Sequence, residues 1–407
     1  MRTFGALALV MSLATVGCSQ STVARRTPAP VEPLGAPAAP GTSREVLEQT
    51  SKQMAARLEA DPNDAAAAVR LADALLRLAR VTNNGGLAVK AERALVKALV
   101  SDPERYEAHR MLAAVLLSQH RFHDAIREAE RCQQMRQNDA FTWGIVGDAR
   151  LELGDYSEAF AAFERMSTIR PDSASYARIA YARELQGDLP GALRLLQMAL
   201  EATSPNDAEA IAWHHSQIGA LHLAEGRVTD AEREFAHADY SFPGHPFAVE
   251  GRARVMAAQR RPADALKTLE PLLAGNPSAT TLVLSAEVLR ALGRHDEAAR
   301  QDALAEAVWR SDAPEPARLA LLLAGSGDAA KIDEAVRLAK AEFSQRRDIF
   351  TADALAWALF KAGRLADAVE ASASTMRTGS VDRGLRERAR IIAHAASLAG
   401  LASGASR

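Results

Sequence analysis

The chain has 407 residues, 49 basic and 51 acidic, for a net charge of −2, with 48% hydrophobic and only 5% aromatic residues. So even a balance provides no overall field to gather nucleic acid or an anionic surface, and two cysteines cannot build a disulfide framework. Abundant alanine, with glycine and proline at intervals, suits close helix packing better than a sheet, so the expected fold class is all-α.

At the amino terminus Arg2 is followed by an apolar run from Phe4 to Val16, then by Gly17 and Cys18. This is the layout of a secretory signal with a small residue before the cut. The run has 13 residues, short of the roughly 20 a spanning helix needs. Thr15-Val16-Gly17-Cys18 resembles the lipobox of bacterial lipoproteins, in which cleavage leaves the cysteine as the lipid-bearing first residue. The resemblance implies a signal peptide over residues 1–17 and lipidation at Cys18. Through Ser19 it implies sorting to the outer membrane, with the body facing the periplasm or the cell surface. Pro28, Pro30, Pro33, Pro37 and Pro40 then forbid helix, so residues 18–43 form a tether. In the polyproline form, at ~3.1 Å per residue, it would reach roughly 75 Å.

A first helix is expected over Arg44–Ala60, stopped by Asp61-Pro62. Beyond it one small residue recurs, at Ala91, Ala125, Ala159, Ala192, Ala231, Ala265, Ala298, Ala335 and Ala368, in steps of 34, 34, 33, 39, 34, 33, 37 and 33. Independent marks keep the same register. Gly154, Gly187, Gly226, Gly293 and Gly363 lie five residues before their alanines, and Pro103, Pro171, Pro243 and Pro277 lie twelve after. Acids such as Asp124, Glu158, Asp230 and Asp264 fall just before the alanine, in a first helical turn where the dipole favours negative charge.

The stretch Ala140–Ser173 shows the unit best. Trp143, Val146 and Gly147 share one helical face, Gly154-Asp155 makes a turn, Ala159, Phe163 and Met166 form the next apolar face, and Pro171 ends it. Trp-x2-Val-Gly, Ala-x3-Phe and Pro at these offsets resemble the tetratricopeptide repeat, with Arg150 standing where that family usually carries an aromatic. The resemblance implies a right-handed α-solenoid of about nine helix-turn-helix repeats over residues 44–401, with a capping helix at each end. The repeats fall at about 65–105, 106–139, 140–172, 173–211, 212–245, 246–278, 279–312, 313–348 and 349–384, and a closing helix at 385–398. Such units repeat because each helix pair leaves one apolar face that only a neighbour can cover.

No P-loop, dinucleotide glycine motif, Gly-x-Ser-x-Gly elbow or His-Glu-x-x-His occurs. The chain is therefore not expected to be an enzyme, and neither a cofactor nor a small-molecule substrate is expected. His214, His215 and His222 form one cluster with metal-ligand chemistry, but His215 and His222 stand where the family places packing aromatics, so no metal is expected. Cys132 takes a small-residue packing position and reads as an inert buried thiol.

In this family the first helix of each repeat faces the concave side, and its second, fifth, ninth and twelfth positions are free of packing duty. Mapped here, they give Phe141, Trp213, Phe247 and Phe350 at the second position, and Tyr181 and Trp357 at the ninth. Large aromatics there are candidate anchors for a protein or peptide partner. The expected function is a membrane-anchored scaffold for protein interaction, serving assembly of a cell-envelope or secretion machine. A metal-dependent or enzymatic protein using the helices as a frame, or a non-lipidated scaffold, fits the same repeats.

Overall fold

Alternation of two kinds of helix organises the chain. The computed structural model describes residues 43–311 and 315–400; the signal, Cys18, the tether up to residue 42 and the last seven residues lie outside them. Among the described residues all regular structure is helical. After α1 (Arg44–Ala60) come nine pairs: α2 (Ala65–Thr82) and α3 (Gly86–Ser101), α4 (Tyr106–Ser118) and α5 (Phe122–Met135), α6 (Ala140–Leu153) and α7 (Tyr156–Ile169). Then follow α8 (Ser173–Leu185) and α9 (Leu189–Glu201), α10 (Ala208–Ala224) and α11 (Val228–Ser241), α12 (Pro246–Ala258) and α13 (Pro262–Ala274). Last are α14 (Ala279–Ala291) and α15 (His295–Ser311), α16 (Pro316–Ala324) and α17 (Ala329–Gln345), α18 (Ile349–Lys361) and α19 (Leu365–Ala373), closed by α20 (Arg383–Leu398). The architecture is an all-α solenoid with a capping helix at each end.

The second helix of each pair is amphipathic and buries one stripe: α7, for example, buries only Ala159, Ala162, Phe163 and Met166. All nine of the register alanines are at most 1% exposed, because only a methyl group fits between the paired helices. At Gly147 even that is too much, since a Cβ would stand 2.5 Å from Cδ1 of Phe163. The first helices behave differently. Eleven of the thirteen residues of α4 and nine of the thirteen of α18 are buried, against six of thirteen in α8 and in α12, and on α18 the face carrying Phe350, Trp357 and Lys361 stays partly open.

The array coils tightly enough to touch itself. Asn83, in the turn of the first pair, exchanges amide hydrogen bonds with Asn276, 193 residues on, at the junction between α13 and α14. In the third pair, the Leu153 carbonyl accepts from the Arg347 amide at 3.0 Å, and the Ile349 amide donates to the Tyr156 hydroxyl, 193 residues away, at 2.9 Å. Gly187, in the fourth, lies against Gly379. The second pair reaches the same junction from one repeat further back, through Phe122, over which Arg346 lies at 5.0 Å. The shared stride of the first, third and fourth pairs means that the solenoid completes a superhelical turn in between five and six repeats of roughly 34 residues and touches itself along a seam. Apolar packing continues the seam at the start of the array, where Leu47, Leu78 and Val81 share a buried cluster with Ala212, Phe242 and Ala248. Its leucine, valine and phenylalanine side chains contribute roughly 1.5–3 kcal/mol each when fully buried.

Backbone geometry in the turns separates two demands. The turn residue five before the alanine is left-handed at Gly154, Gly187, Gly226, Gly293 and Gly363, and also at His120 and Arg260, where no glycine is present. A Cβ at Gly226, Gly293 or Gly363 would meet nothing within 4 Å, whereas at Gly154 it would stand 2.5 Å from the Arg347 carbonyl oxygen and at Gly187 2.6 Å from that of Gly379. Gly293→Ala should therefore cost only the left-handed strain of roughly 1–2 kcal/mol. Gly154→Ala should cost about 1–3 kcal/mol beyond that, by overpacking the seam. Urea midpoints followed by helix signal test the difference, and equal shifts would mean that the seam does not form in solution.

Candidate partner-binding surface

The inner face of the solenoid is built by the first helices, and its polar side chains are linked between successive pairs. Arg110 on α4 donates from Nε to Oδ2 of Asp139 at 2.6 Å, at the start of α6. Arg178 on α8 reaches back to Asp148 on α6 at 2.8 Å. Thr281 on α14 donates to Glu250 on α12 at 2.6 Å, and Arg388 on α20 donates from Nε to Asp353 on α18 at 2.8 Å. These contacts rise along the interior like rungs. They satisfy charges that would otherwise be buried without partners.

Two denser networks cross the coil. Arg77 and Arg80 of α2 pair with Asp207 and Glu209 at 2.9 and 2.5 Å. Burial acts to raise the Glu209 carboxyl, but Arg80, His245 and Arg77 outweigh it and hold the group well below its ordinary range. At the seam the balance is reversed. Arg346 Nη2 lies 2.6 Å from Glu152 and 3.5 Å from Asp348, while its Nη1 lies 3.3 Å from Glu342. One guanidinium cannot neutralise three carboxylates, so burial, opposed by Arg346 and reinforced by the charge on Asp348, raises Glu152 to about 8. Burial likewise raises Asp148 and Asp353 to about 6 despite their arginines.

The six aromatics singled out by register are half-buried, none fully exposed and none fully enclosed. Phe141 lies under the Arg110 guanidinium, 3.9 Å from its ring centre. Trp213 sits edge-on to His214 at 5.1 Å and packs against the cluster of α8 and α9. Phe247 lies 5.6 Å from the ring of His245. Trp357 stacks on Phe360 at 5.4 Å. Tyr181 and Phe350, distant in sequence, are brought together at the seam with Tyr156 and Phe160, and line a cavity of about 30 Å³ with Leu189 and Val381. That space admits one water. The Tyr181 hydroxyl is buried beside it without a hydrogen-bond partner, and burial raises its pKa well above the usual value. The six therefore fall into separate clusters rather than one strip. A larger cavity, about 330 Å³, opens between α17, α18 and α19, with Phe343, Leu355 and Leu359 on its floor and Lys340, Arg364 and Asp367 around it.

The histidine cluster divides between two faces. His214 Nε2 bonds the Ser173 hydroxyl at 2.8 Å, and burial lowers its pKa to about 3. His215 pairs with Glu234 at 2.8 Å and stacks on His237. Among the described residues no group of three or more His, Cys, Asp or Glu is arranged to hold a metal ion. Cys132 is buried, and burial pushes its thiol up to about 12.

Sequence reasoning missed the rungs. Their signal was present: Asp148 and Arg178 lie 30 residues apart and Asp353 and Arg388 lie 35 apart, about one repeat, at interior positions that are otherwise apolar.

The tetratricopeptide repeat family model matches residues 251–316, from within α12 to the start of α16. Over these residues the chain is similar to the tetratricopeptide repeat. This repeat protein is 37% identical over 116 residues to tetratricopeptide repeat protein 36 of Homo sapiens, a match covering 28% of this chain and 59% of that relative. The Mus musculus protein is 39% identical over 105 residues, covering 26% and 55%. The chain thus spans little more than half the length of the curated relatives it matches. Its fold resembles that in the crystal structure of the APC/C hetero-tetramer Cut9-Hcn1, with TM-score 0.54 and 15% identity, over 87% of this chain and 60% of that one. It also resembles human IFIT1 in a dimer with m7Gppp-AAAA, with TM-score 0.53 and 14% identity, over 83% and 77%. At such identities the likeness concerns the solenoid alone.

The seam carboxylate makes the helical array sensitive to pH. Glu152 titrates near 8 when folded and near its ordinary 4.5 when unfolded. Between these values the folded chain keeps a proton that the unfolded chain has lost. The stabilisation is complete below about 4.5 and is lost as pH rises through 8, on the order of a few kcal/mol. Glu152→Gln should flatten the fall in melting temperature between pH 5 and pH 8.5. If parent and variant fall equally, Glu152 does not carry that proton.

Proposed function

We propose that this chain is a non-catalytic tetratricopeptide-repeat scaffold, tethered to a membrane through a lipid on Cys18 and holding a protein or peptide segment on its inner helices. The observation that carries the reading is the set of half-buried aromatics at Phe141, Tyr181, Trp213, Phe247, Phe350 and Trp357 within a repeat fold made for protein interaction. Half-burial fits an anchor. The ring is held in one orientation by its neighbours, as Trp357 is by Phe360, yet keeps a face to offer. The 330 Å³ cavity beside α18 has room for an apolar side chain of the partner, with charges at its rim to orient a backbone.

The envelope setting is drawn from the amino terminus. A secretory signal ending in Thr15-Val16-Gly17-Cys18 and a proline-rich tether would place the solenoid on the periplasmic side of the outer membrane, clear of its surface. A stiff array on a tether suits a factor that positions subunits while an envelope or secretion machine is assembled.

The test is chemical capture followed by binding. A photo-cross-linking residue in place of Phe247 or Trp357 should capture the same protein in cells. Trp357→Ala should then weaken binding of that protein to the purified chain about tenfold or more, with helix content retained. Helix content lost in step with binding would make Trp357 a packing residue.

A further inference from the structure

The outer face of α3 is unlike that of the other second helices. Val89, Val96 and Val100 are 42, 45 and 78% exposed, and they account for three of the six large apolar side chains exposed among the described residues. The other three, Met198, Leu304 and Leu398, stand singly on different helices, as surface leucines and methionines commonly do. Positions 89, 96 and 100 lie seven and four residues apart, so the valines form one stripe along the helix. Valine is a poor helix former, and in water these three gain nothing from packing.

Lys90, Arg93 and Lys97 are exposed between the valines. Glu92 is the one acid on α3, and Arg121 holds it at 2.6 Å, so the stripe keeps its positive charge. Among the described residues none of the three basic side chains forms an ion pair. The net charge of −2 for the whole chain conceals this local excess.

We infer that α3 lies against the surface of an anionic phospholipid bilayer. The valines reach the boundary between headgroups and acyl chains, and the lysines and arginine extend to lipid phosphates. Charge complementarity supports an anionic lipid surface as the occupant. The course of the chain supports the same side. Leu47 near the start of α1 shares a cluster with Leu87 at the start of α3, so the segment preceding Ser43 joins the fold at the Val89 end of the stripe. The proposed lipid anchor on Cys18 determines only the direction from which a membrane is met; the contact rests on α3.

The test uses the full chain with an environment-sensitive fluorescent amino acid in place of Val96 and, as a control, in place of Leu304. Vesicles of phosphatidylcholine with or without phosphatidylglycerol carry nitroxide-labelled lipid as quencher. The probe at 96 should be quenched on vesicles containing phosphatidylglycerol, and the probe at 304 should not. Combining Lys90→Glu, Arg93→Glu and Lys97→Glu should weaken this contact about a hundred-fold, and Val96→Ser with Val100→Ser should weaken it without changing charge. A chain that floats with both kinds of vesicle while the probe at 96 stays in water keeps the tether and overturns the α3 contact. A chain that floats with neither overturns the contact as well.

Discussion

Contact between the turn of one helix pair and the junction five to six pairs later governs the rest of this structure. Nothing in a single repeat requires it, since each pair is complete once its neighbours cover it. Yet because the coil closes on itself, first helices are buried over most of their surface, as α4 and α18 show. Enclosure then dictates their chemistry. A charged group on such a helix must find a partner on the next, and Arg110, Arg178 and Arg388 do so one repeat away. Large rings between them are held half-buried.

Where the coil closes, the supply of positive charge runs short. Arg346 faces Glu152, Asp348 and Glu342, and a proton rather than a second cation restores the balance. The network between α2 and α10 has two arginines for its carboxylates and keeps Glu209 ionised. Two parts of one interface, alike in burial, therefore depend on pH in opposite directions. Acid weakens the pairing of Glu209, whereas alkali strains the surroundings of Glu152.

The repeat is legible in the sequence because it is a local property. A methyl-sized residue every 33 to 39 positions and glycine five residues earlier mark where two helices meet and where the chain reverses, whatever lies elsewhere. His120 and Arg260 show the limit of this reasoning, since both hold left-handed backbone with side chains that give no sign of it. The seam leaves less trace. Asn83 and Asn276 are ordinary polar residues in ordinary loops, and only a small angle repeated at every junction brings them together. For the same reason register could select Tyr181 and Phe350 one at a time, while their shared cluster depends on the sum of those angles. The rungs were within reach of sequence, as acid and arginine one repeat apart at interior positions. The stripe on α3 was readable too, though an excess of three charges vanishes in a total taken over the chain.

The seam also gives the solenoid a mechanical character. An open helical array lengthens like a weak spring, each junction flexing slightly as the ends are drawn apart. Here extension along the axis must first separate Leu153 from Arg347, Tyr156 from Ile349 and Asn83 from Asn276. The molecule is therefore stiff under small loads and compliant above a threshold. A body fixed at one end and loaded at the other would hold its length until that threshold is crossed, then yield with its helices intact.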